Sequence, residues 1–203
     1  MLNLKPLILP VFAMALVVVA SNILVQYPFP YFGMDNNLTW GAFTYPAAFF
    51  ITDLTNRRYG NSAARKLVGF GFIIAFALSL ALAPARIAVA SGTAYLVGEL
   101  LDISVFNRLR RQSWWHAPLA ASLIGSAVDT LLFFSIAFYG FEPLSVPVPF
   151  SLAPNMMVPL WQNLAYWDFA VKCGFALVSL IPYGALLKAI RPVEALSGEA
   201  ARS

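Results

Sequence analysis

The chain has 203 residues, of which 60% are hydrophobic and only 11% are charged, and its mean hydropathy is +0.74. A water-soluble protein of this size could not bury so much apolar surface, so the composition excludes a soluble globular domain and indicates one integral membrane domain over residues 1–203. The formal net charge of +4 does not indicate nucleic-acid binding, because the basic residues cluster at the ends of apolar segments. A single cysteine, Cys173, excludes an internal disulfide framework and a cysteine-based metal site.

Six apolar segments are predicted to be transmembrane helices, so the predicted fold class is an all-α polytopic membrane protein. They cover residues 6–27, 38–56, 67–84, 86–107, 117–140 and 163–190. The first segment is long enough to be a retained span rather than a cleaved signal peptide. Spans three and four are separated only by Pro84-Ala85, which predicts a tight helical hairpin. Residues 191–203 are predicted to be a tail.

The placement of lysine and arginine predicts the orientation of the chain. Of the 13 basic residues, eleven fall on one side of the predicted spans, Arg86 falls on the other, and Lys172 lies within a span. Because basic residues are enriched in cytoplasmic loops, both termini are predicted to be cytoplasmic. The eleven residues are Lys5, Arg57, Arg58, Arg65, Lys66, Arg108, Arg110, Arg111, Lys188, Arg191 and Arg202.

The connector over residues 141–160 carries five prolines and almost no charge, so it is not expected to form a regular helix. In the predicted topology it is an external loop between spans five and six. It is apolar enough to lie on the bilayer as a passive connector or to fold over the mouth of a cavity, and both interpretations stay open.

Acidic side chains inside apolar segments are the main clue to function, because an ionisable group at a helix centre costs about 2.5–3.5 kcal/mol on insertion scales. A protein that keeps several of them is expected to line a polar cavity or pathway. The five acidic residues are Asp53, Glu99, Asp102, Asp129 and Asp168. Helical spacing places Ser91, Tyr95, Glu99, Asp102 and Phe106 on one face of span four.

Each acidic residue has a structural alternative. Asp168 and Lys172 are spaced i, i+4 and are expected to form an ion pair, with a substrate contact as the other interpretation. Glu99 and Asp129 lie deeper and have no neighbouring cation in the sequence, which favours a functional role.

Asp53 and Asp102 lie near the predicted cytoplasmic ends of spans two and four. They either pair with Arg57 or Arg108 or face a cavity, and the sequence leaves both open.

Enzyme signatures are largely missing. The sequence has no P-loop, no H-E-x-x-H motif and no G-x-S-x-G turn, and its lone His116 leaves no metal cluster. We therefore expect no enzyme activity, no cofactor and no bound metal.

Several ordered segments resemble the bacterial queuosine-precursor transporter family (the YhhQ, or VUT, family). The resemblance covers roughly residues 20–190. The segments that carry it are Leu38-Thr39-Trp40-Gly41-Ala42-Phe43, Thr52-Asp53-Leu54-Thr55, Ala85-Arg86-Ile87-Ala88, Asp102, Val105-Phe106-Asn107-Arg108-Leu109-Arg110, Trp114-Trp115, Asp129-Thr130-Leu131, Phe133-Phe134, Asp168, Lys172 and Pro182-Tyr183-Gly184. The family resemblance implies a six-span bacterial inner-membrane importer of 7-cyano-7-deazaguanine and 7-aminomethyl-7-deazaguanine.

The residues suit such a cargo. A guanine-like edge offers two donors beside a carbonyl acceptor, and a carboxylate can accept from both donors while an amide or ammonium meets the carbonyl. The expected central cavity is lined by Asp53, Glu99, Asp102 and Asp129, with Asn22, Asn107 and Lys172, while Trp40, Tyr45 or Phe106 stacks on the ring.

The expected partners are therefore the deazapurine substrate and the lipid bilayer, with no nucleic acid. At 203 residues the chain is small for a transporter, so a homodimer stays open. Two rival functions also stay open: a substrate-binding subunit that works with a separate ATP-driven module, and an intramembrane aspartyl enzyme that uses Asp53 and Asp129.

Overall fold

The computed structural model describes residues 7–34, 37–188 and 190. Seven helices carry most of the described chain, and one two-stranded sheet lies before the last helix. In chain order the elements are α1 (Ile8–Leu24), α2 (Trp40–Thr44), α3 (Ala47–Tyr59), α4 (Asn61–Leu82), α5 (Ala85–Leu109), α6 (His116–Phe138), β1 (Pro147–Phe150), β2 (Ala153–Pro159) and α7 (Leu160–Leu186).

Within the described ranges, α4, α5, α6 and α7 are long and apolar enough to cross a membrane. They correspond to predicted spans three to six, and α1 is a shorter apolar helix of 17 residues within predicted span one. The chain is therefore an all-α polytopic membrane protein, as the composition predicted. The predicted tail at 191–203 lies outside the described residues.

The second predicted span is not one continuous helix. It is divided into α2 and α3 at Tyr45-Pro46, although both residues keep right-handed helical dihedral angles. Proline has no backbone N–H and its ring clashes with the preceding turn, so a helix cannot continue undisturbed through it. The break places the Tyr45 side chain where the two short helices meet.

Helix α5 is central to the bundle, because it packs on α4, α3 and most extensively on α6. Two glycines allow α5 and α6 to approach closely. A Cβ atom on Gly98 would lie 2.9 Å from the Asp129 Cβ, and one on Gly125 would lie 3.0 Å from the Gly98 carbonyl oxygen. Such small residues are common where membrane helices pack backbone to backbone.

One end of the bundle collects the described basic residues other than Arg86 and Lys172, and we call it the basic end. It comprises the C-termini of α3, α5 and α7 and the N-termini of α4 and α6. The Arg110 Nη2 donates to the Asn56 carbonyl over 3.4 Å, and the Arg57 Nε donates to the Ile190 carbonyl over 3.2 Å, so these helix ends are joined.

The opposite end holds the N-terminus of α5 and the C-terminus of α6, and we call it the Arg86 end. The Arg86 guanidinium donates to the carbonyl oxygens of Ile136 and Tyr139, over 2.8 Å and 2.6 Å. Ile136 lies in the last turn of α6 and Tyr139 directly follows the helix, so these two carbonyls have no donor within α6. Arg86 therefore acts as a cap for α6.

The proline-rich connector contains a short antiparallel hairpin, β1–β2, which the sequence did not predict. Val148 pairs with Val158, and the register becomes irregular after Pro149. Prolines are tolerated in a two-stranded sheet because each strand has an outer edge that needs no hydrogen-bond partner.

Candidate functional site

A cavity of about 430 Å³ lies in the half of the bundle nearer the Arg86 end. Its walls come from α1, from the segment before and within α2, from the start of α5, the end of α6 and the first half of α7. The polar lining residues are Ser21, Asn22, Asn37, Thr39, Tyr45, Ser91, Tyr95, Asp129, Asp168 and Lys172. The aromatic side chains of Phe133, Phe134 and Phe138 complete one wall.

Asp129, Asp168 and Lys172 form a compact charged group on the cavity wall, which we call the lysine trio. The Lys172 Nζ lies 2.7 Å from the Asp129 Oδ2 and 2.5 Å from the Asp168 Oδ2. It also donates to the Thr130 Oγ1 over 3.0 Å, and the Thr130 hydroxyl donates to the Asp168 Oδ2 over 2.7 Å. The i, i+4 pair expected from the sequence is present, and Asp129 on α6 is its third member.

Tyr45 connects the helix break to the lysine trio. Its hydroxyl donates to the Asp129 Oδ1 over 2.9 Å, and its ring centroid lies 5.3 Å from the Lys172 Nζ. Both Asp129 oxygens are thus engaged, one by Tyr45 at the helix break and one by Lys172 on α7. The α2–α3 break and α6 are held together through this one carboxylate.

Several neutral polar groups on the wall keep free hydrogen-bonding capacity. The Asn22 Nδ2 donates to the Val18 carbonyl over 2.9 Å, which leaves its Oδ1 without a donor from the described residues. The hydroxyls of Thr39 and Ser91 make no side-chain hydrogen bond within the described chain. The cavity lining outside the lysine trio therefore carries groups that can bind a polar ligand.

Asp53, Glu99 and Asp102 form a second acidic group, the acidic cluster, which is not among the residues that line this cavity. All three are at most 1% exposed. The Ser122 hydroxyl donates to the Asp53 Oδ2 over 3.3 Å, while the other five carboxyl oxygens accept no hydrogen bond from the part of the chain that the structure describes. These residues lie in α3 and in the later half of α5, between the cavity and the basic end.

Neither Asp53 nor Asp102 forms an ion pair with Arg57 or Arg108 among the described residues, so the pairing that the sequence left open is not observed. Asp53 and Asp102 instead lie beside each other.

Three other predicted site residues lie away from the cavity lining. The Asn107 Nδ2 donates to the Ile103 carbonyl and its Oδ1 accepts from the Arg110 Nη1, at the basic end. Phe106 is 1% exposed and packs in a core with Ala117, Ala121 and Tyr183. Trp40 packs edge to face on Phe29, with ring centroids 4.9 Å apart.

The β1–β2 hairpin is tied to the cavity by Asn163 at the start of α7. The Asn163 Oδ1 accepts from the Ser151 backbone N–H and hydroxyl, over 3.1 Å and 2.7 Å. Its Nδ2 donates over 3.1 Å to the Oδ1 of Asn37, which lines the cavity. The Trp167 Nε1 donates to the Ser151 hydroxyl over 2.9 Å. We call these contacts the asparagine bridge; no pattern in the sequence predicted them.

A charged cavity of this size between apolar membrane-spanning helices is characteristic of a membrane transporter. The chain matches the family model described as "Putative vitamin uptake transporter" over residues 39–85 and 79–186, and it belongs to this family of transporters. It is therefore a transporter and not an enzyme, which sets aside the aspartyl-enzyme alternative.

Two curated relatives are more than a third identical to this chain over the aligned residues. The "Queuosine precursor transporter" of Escherichia coli (strain K12) is 37% identical over 199 residues, covering 85% of this chain and 82% of the relative. The "Probable queuosine precursor transporter" of Haemophilus influenzae is 34% identical over 206 residues, covering 86% and 83%. A "Probable queuosine precursor transporter" of Bacillus subtilis (strain 168) is 26% identical over 202 residues, covering 86% of this chain and 81% of the relative. No solved structure matches the chain.

Proposed function

We propose that this protein imports 7-cyano-7-deazaguanine and 7-aminomethyl-7-deazaguanine across the bacterial inner membrane. The names of the curated relatives support this cargo class, since two of them exceed 30% identity over more than four-fifths of both chains. The structural observation that carries the proposal is the lysine trio on the wall of the cavity.

The cavity suits a flat bicyclic base in size and in chemistry. Its volume of about 430 Å³ falls within the range of about 300–1,000 Å³ that is typical of small-molecule sites. The free Oδ1 of Asn22 can accept from the base's ring N–H or exocyclic amine, while the hydroxyl of Ser91 can donate to its carbonyl. Phe133 and Tyr95 supply aromatic surface for the ring.

The lysine trio and the acidic cluster take different roles in this proposal. Asn22 and Ser91 bind the base in the cavity, and Asp129 and Lys172 hold Asp168 in place on the cavity wall. The acidic cluster lies on the route from the cavity toward the basic end, which is the predicted cytoplasmic side. Rearrangement of the helices around α5 would then bring the base into contact with the acidic cluster before its release. We assign no substrate contact to Asn107, Trp40 or Phe106.

Uptake by the purified chain in proteoliposomes tests the proposal. Asp129→Asn removes a charge but little volume, so we expect loss of uptake of both labelled precursors with normal membrane insertion. Glu142→Gln is the matched control, because Glu142 is an exposed carboxylate in the connector and its loss is expected to leave uptake unchanged. Unchanged uptake by Asp129→Asn would remove Asp129 from the site.

The same preparation separates the importer from the rival binding subunit. An importer moves the base when it is the only protein present. If the purified wild-type chain binds the base but accumulates none inside the vesicles, with or without a pH gradient, a separate energising module is required and the importer proposal fails.

A further inference from the structure

The lysine trio leaves the cavity with an unbalanced charge. Asp129 and Asp168 contribute two carboxylates and Lys172 one ammonium, and no other acidic or basic side chain belongs to the described lining. The formal charge of the lining is therefore −1 when all three groups are ionised.

Hydrogen bonding locates the unsatisfied group within the trio. Lys172 donates to Asp129, Thr130 and Asp168, which uses all three ammonium protons. Asp129 accepts through both oxygens, from Tyr45 and Lys172. At Asp168 only the Oδ2 is engaged, and its Oδ1 accepts nothing from the residues that the structure describes.

The free hydrogen-bond acceptor in the lysine trio is thus the Oδ1 of Asp168, a residue that lines the cavity. Asp168 is also the more accessible of the two carboxylates, at 18% side-chain exposure against 4% for Asp129. A ligand can add a donor at Asp168 without breaking an existing contact. It cannot accept from Lys172 unless one of the three lysine bonds is given up.

We propose that Asp168 makes the cavity selective for deazaguanine bases with a cationic amine arm over otherwise identical bases with a neutral arm. This inference rests on the proposed function and extends it to the choice between the two precursors. An ammonium group neutralises the lining charge and donates to the free oxygen, whereas a nitrile can do neither. Hydrogen bonds to charged groups contribute about 1.5–3 kcal/mol, which corresponds to a preference of about 10- to 100-fold.

Competition binding on the full-length chain in nanodiscs measures this preference. The probe is labelled 7-aminomethyl-7-deazaguanine, and the competitors are the 7-cyano base and the neutral 7-hydroxymethyl base, which keeps the size of the arm and its ability to donate. We expect the nitrile base to compete about 10- to 100-fold more weakly than the unlabelled amine, and the hydroxymethyl base, which keeps a donor but has no charge, to fall between the two.

Variants assign the effect to the residue. Asp168→Asn is expected to reduce the preference to about threefold or less while the affinity for the nitrile base changes little, and Asp168→Glu is expected to retain the preference. Glu142→Gln, which removes the same charge from the exposed connector, is expected to bind like the wild type. The wild-type comparison needs no variant, so it holds even if Asp168→Asn does not fold.

The outcomes separate this inference from the proposed function. Tight binding of the nitrile and amine bases with equal affinity, or tighter binding of the nitrile, would overturn the selectivity and leave the importer intact. Absence of binding by every base would instead overturn the proposed function.

Discussion

Replacing Lys172 with methionine should strongly destabilise the protein. The substitution keeps most of the side-chain volume but leaves Asp129 and Asp168 facing each other with no cation between them. At an effective dielectric constant of about 20, unit charges separated by the 2.7 Å of the Lys172–Asp129 contact attract by about 6 kcal/mol. Much of that attraction offsets the cost of burying the ammonium, so we expect a net loss of about 3–5 kcal/mol, as is typical when one partner of a buried pair is removed.

Thermal unfolding of the purified protein in detergent measures this loss. For a chain of this size, each kcal/mol lowers Tm by about 2–4 °C, so the expected drop is about 6–20 °C. The decisive comparison is the triple variant Lys172→Met, Asp129→Asn, Asp168→Asn, in which no charge is left unpaired. It should recover most of the lost stability. Two results would refute the electrostatic reasoning. One is a triple variant that is no more stable than Lys172→Met, and the other is a decrease in Tm of less than about 2 °C for Lys172→Met alone.

Three further predictions concern packing and unpaired groups, each with its own measurement. Glu99→Gln should raise the free energy of unfolding by about 1–3 kcal/mol, since neither Glu99 oxygen has a donor among the described residues and a buried ionised carboxylate is costlier than a neutral amide. A lower Tm would contradict this. Gly125→Ala should cost about 1–3 kcal/mol in the same assay, because its Cβ would lie 2.9 Å from the Phe49 ring. Gly174→Ala, whose Cβ meets nothing within 4 Å, is the matched control and should gain up to about 1 kcal/mol. Asn163→Ala should speed proteolysis within residues 147–159, because it removes the three hydrogen bonds that Asn163 makes in the asparagine bridge. An unchanged rate of cleavage would show that the hairpin is held by other contacts.

Composition and periodicity were sufficient to predict the long helices. The predicted spans 86–107 and 117–140 correspond to Ala85–Leu109 and His116–Phe138. The divided second span was missed, although Pro46 is visible in the sequence, because the apolar run continues through it. The hairpin was missed because strand signals are weak in a segment with five prolines.

The candidate site shows what periodicity can and cannot predict. The stripe on span four correctly placed Tyr95, Glu99 and Asp102 on a buried face. It could not show how far along the helix axis each residue lies from the cavity, because the eleven steps from Ser91 to Asp102 span about 16 Å. Ser91 and Tyr95 consequently line the cavity, while Glu99 and Asp102 lie beyond it.

The sequence also predicted the pair within α7 but not its third member. Asp168 and Lys172 are one helical turn apart, so their spacing alone predicts contact. Asp129 lies 43 residues before Lys172, and their contact depends on how α6 and α7 rotate against each other. Helical spacing contains no information on that rotation.

The proline at the junction of α2 and α3 has a consequence for mutational scanning. In an uninterrupted helix the carbonyl oxygen of Ala42 would accept from the N–H four residues later, but residue 46 has no N–H to donate. Ala42 lines the cavity, so a main-chain acceptor stands close to the space where a ligand would sit. Alanine scanning removes side chains only, and it would leave any ligand contact with this oxygen undetected. Pro46→Ala is the informative change there, because it supplies the missing donor and so competes for the oxygen from within the backbone.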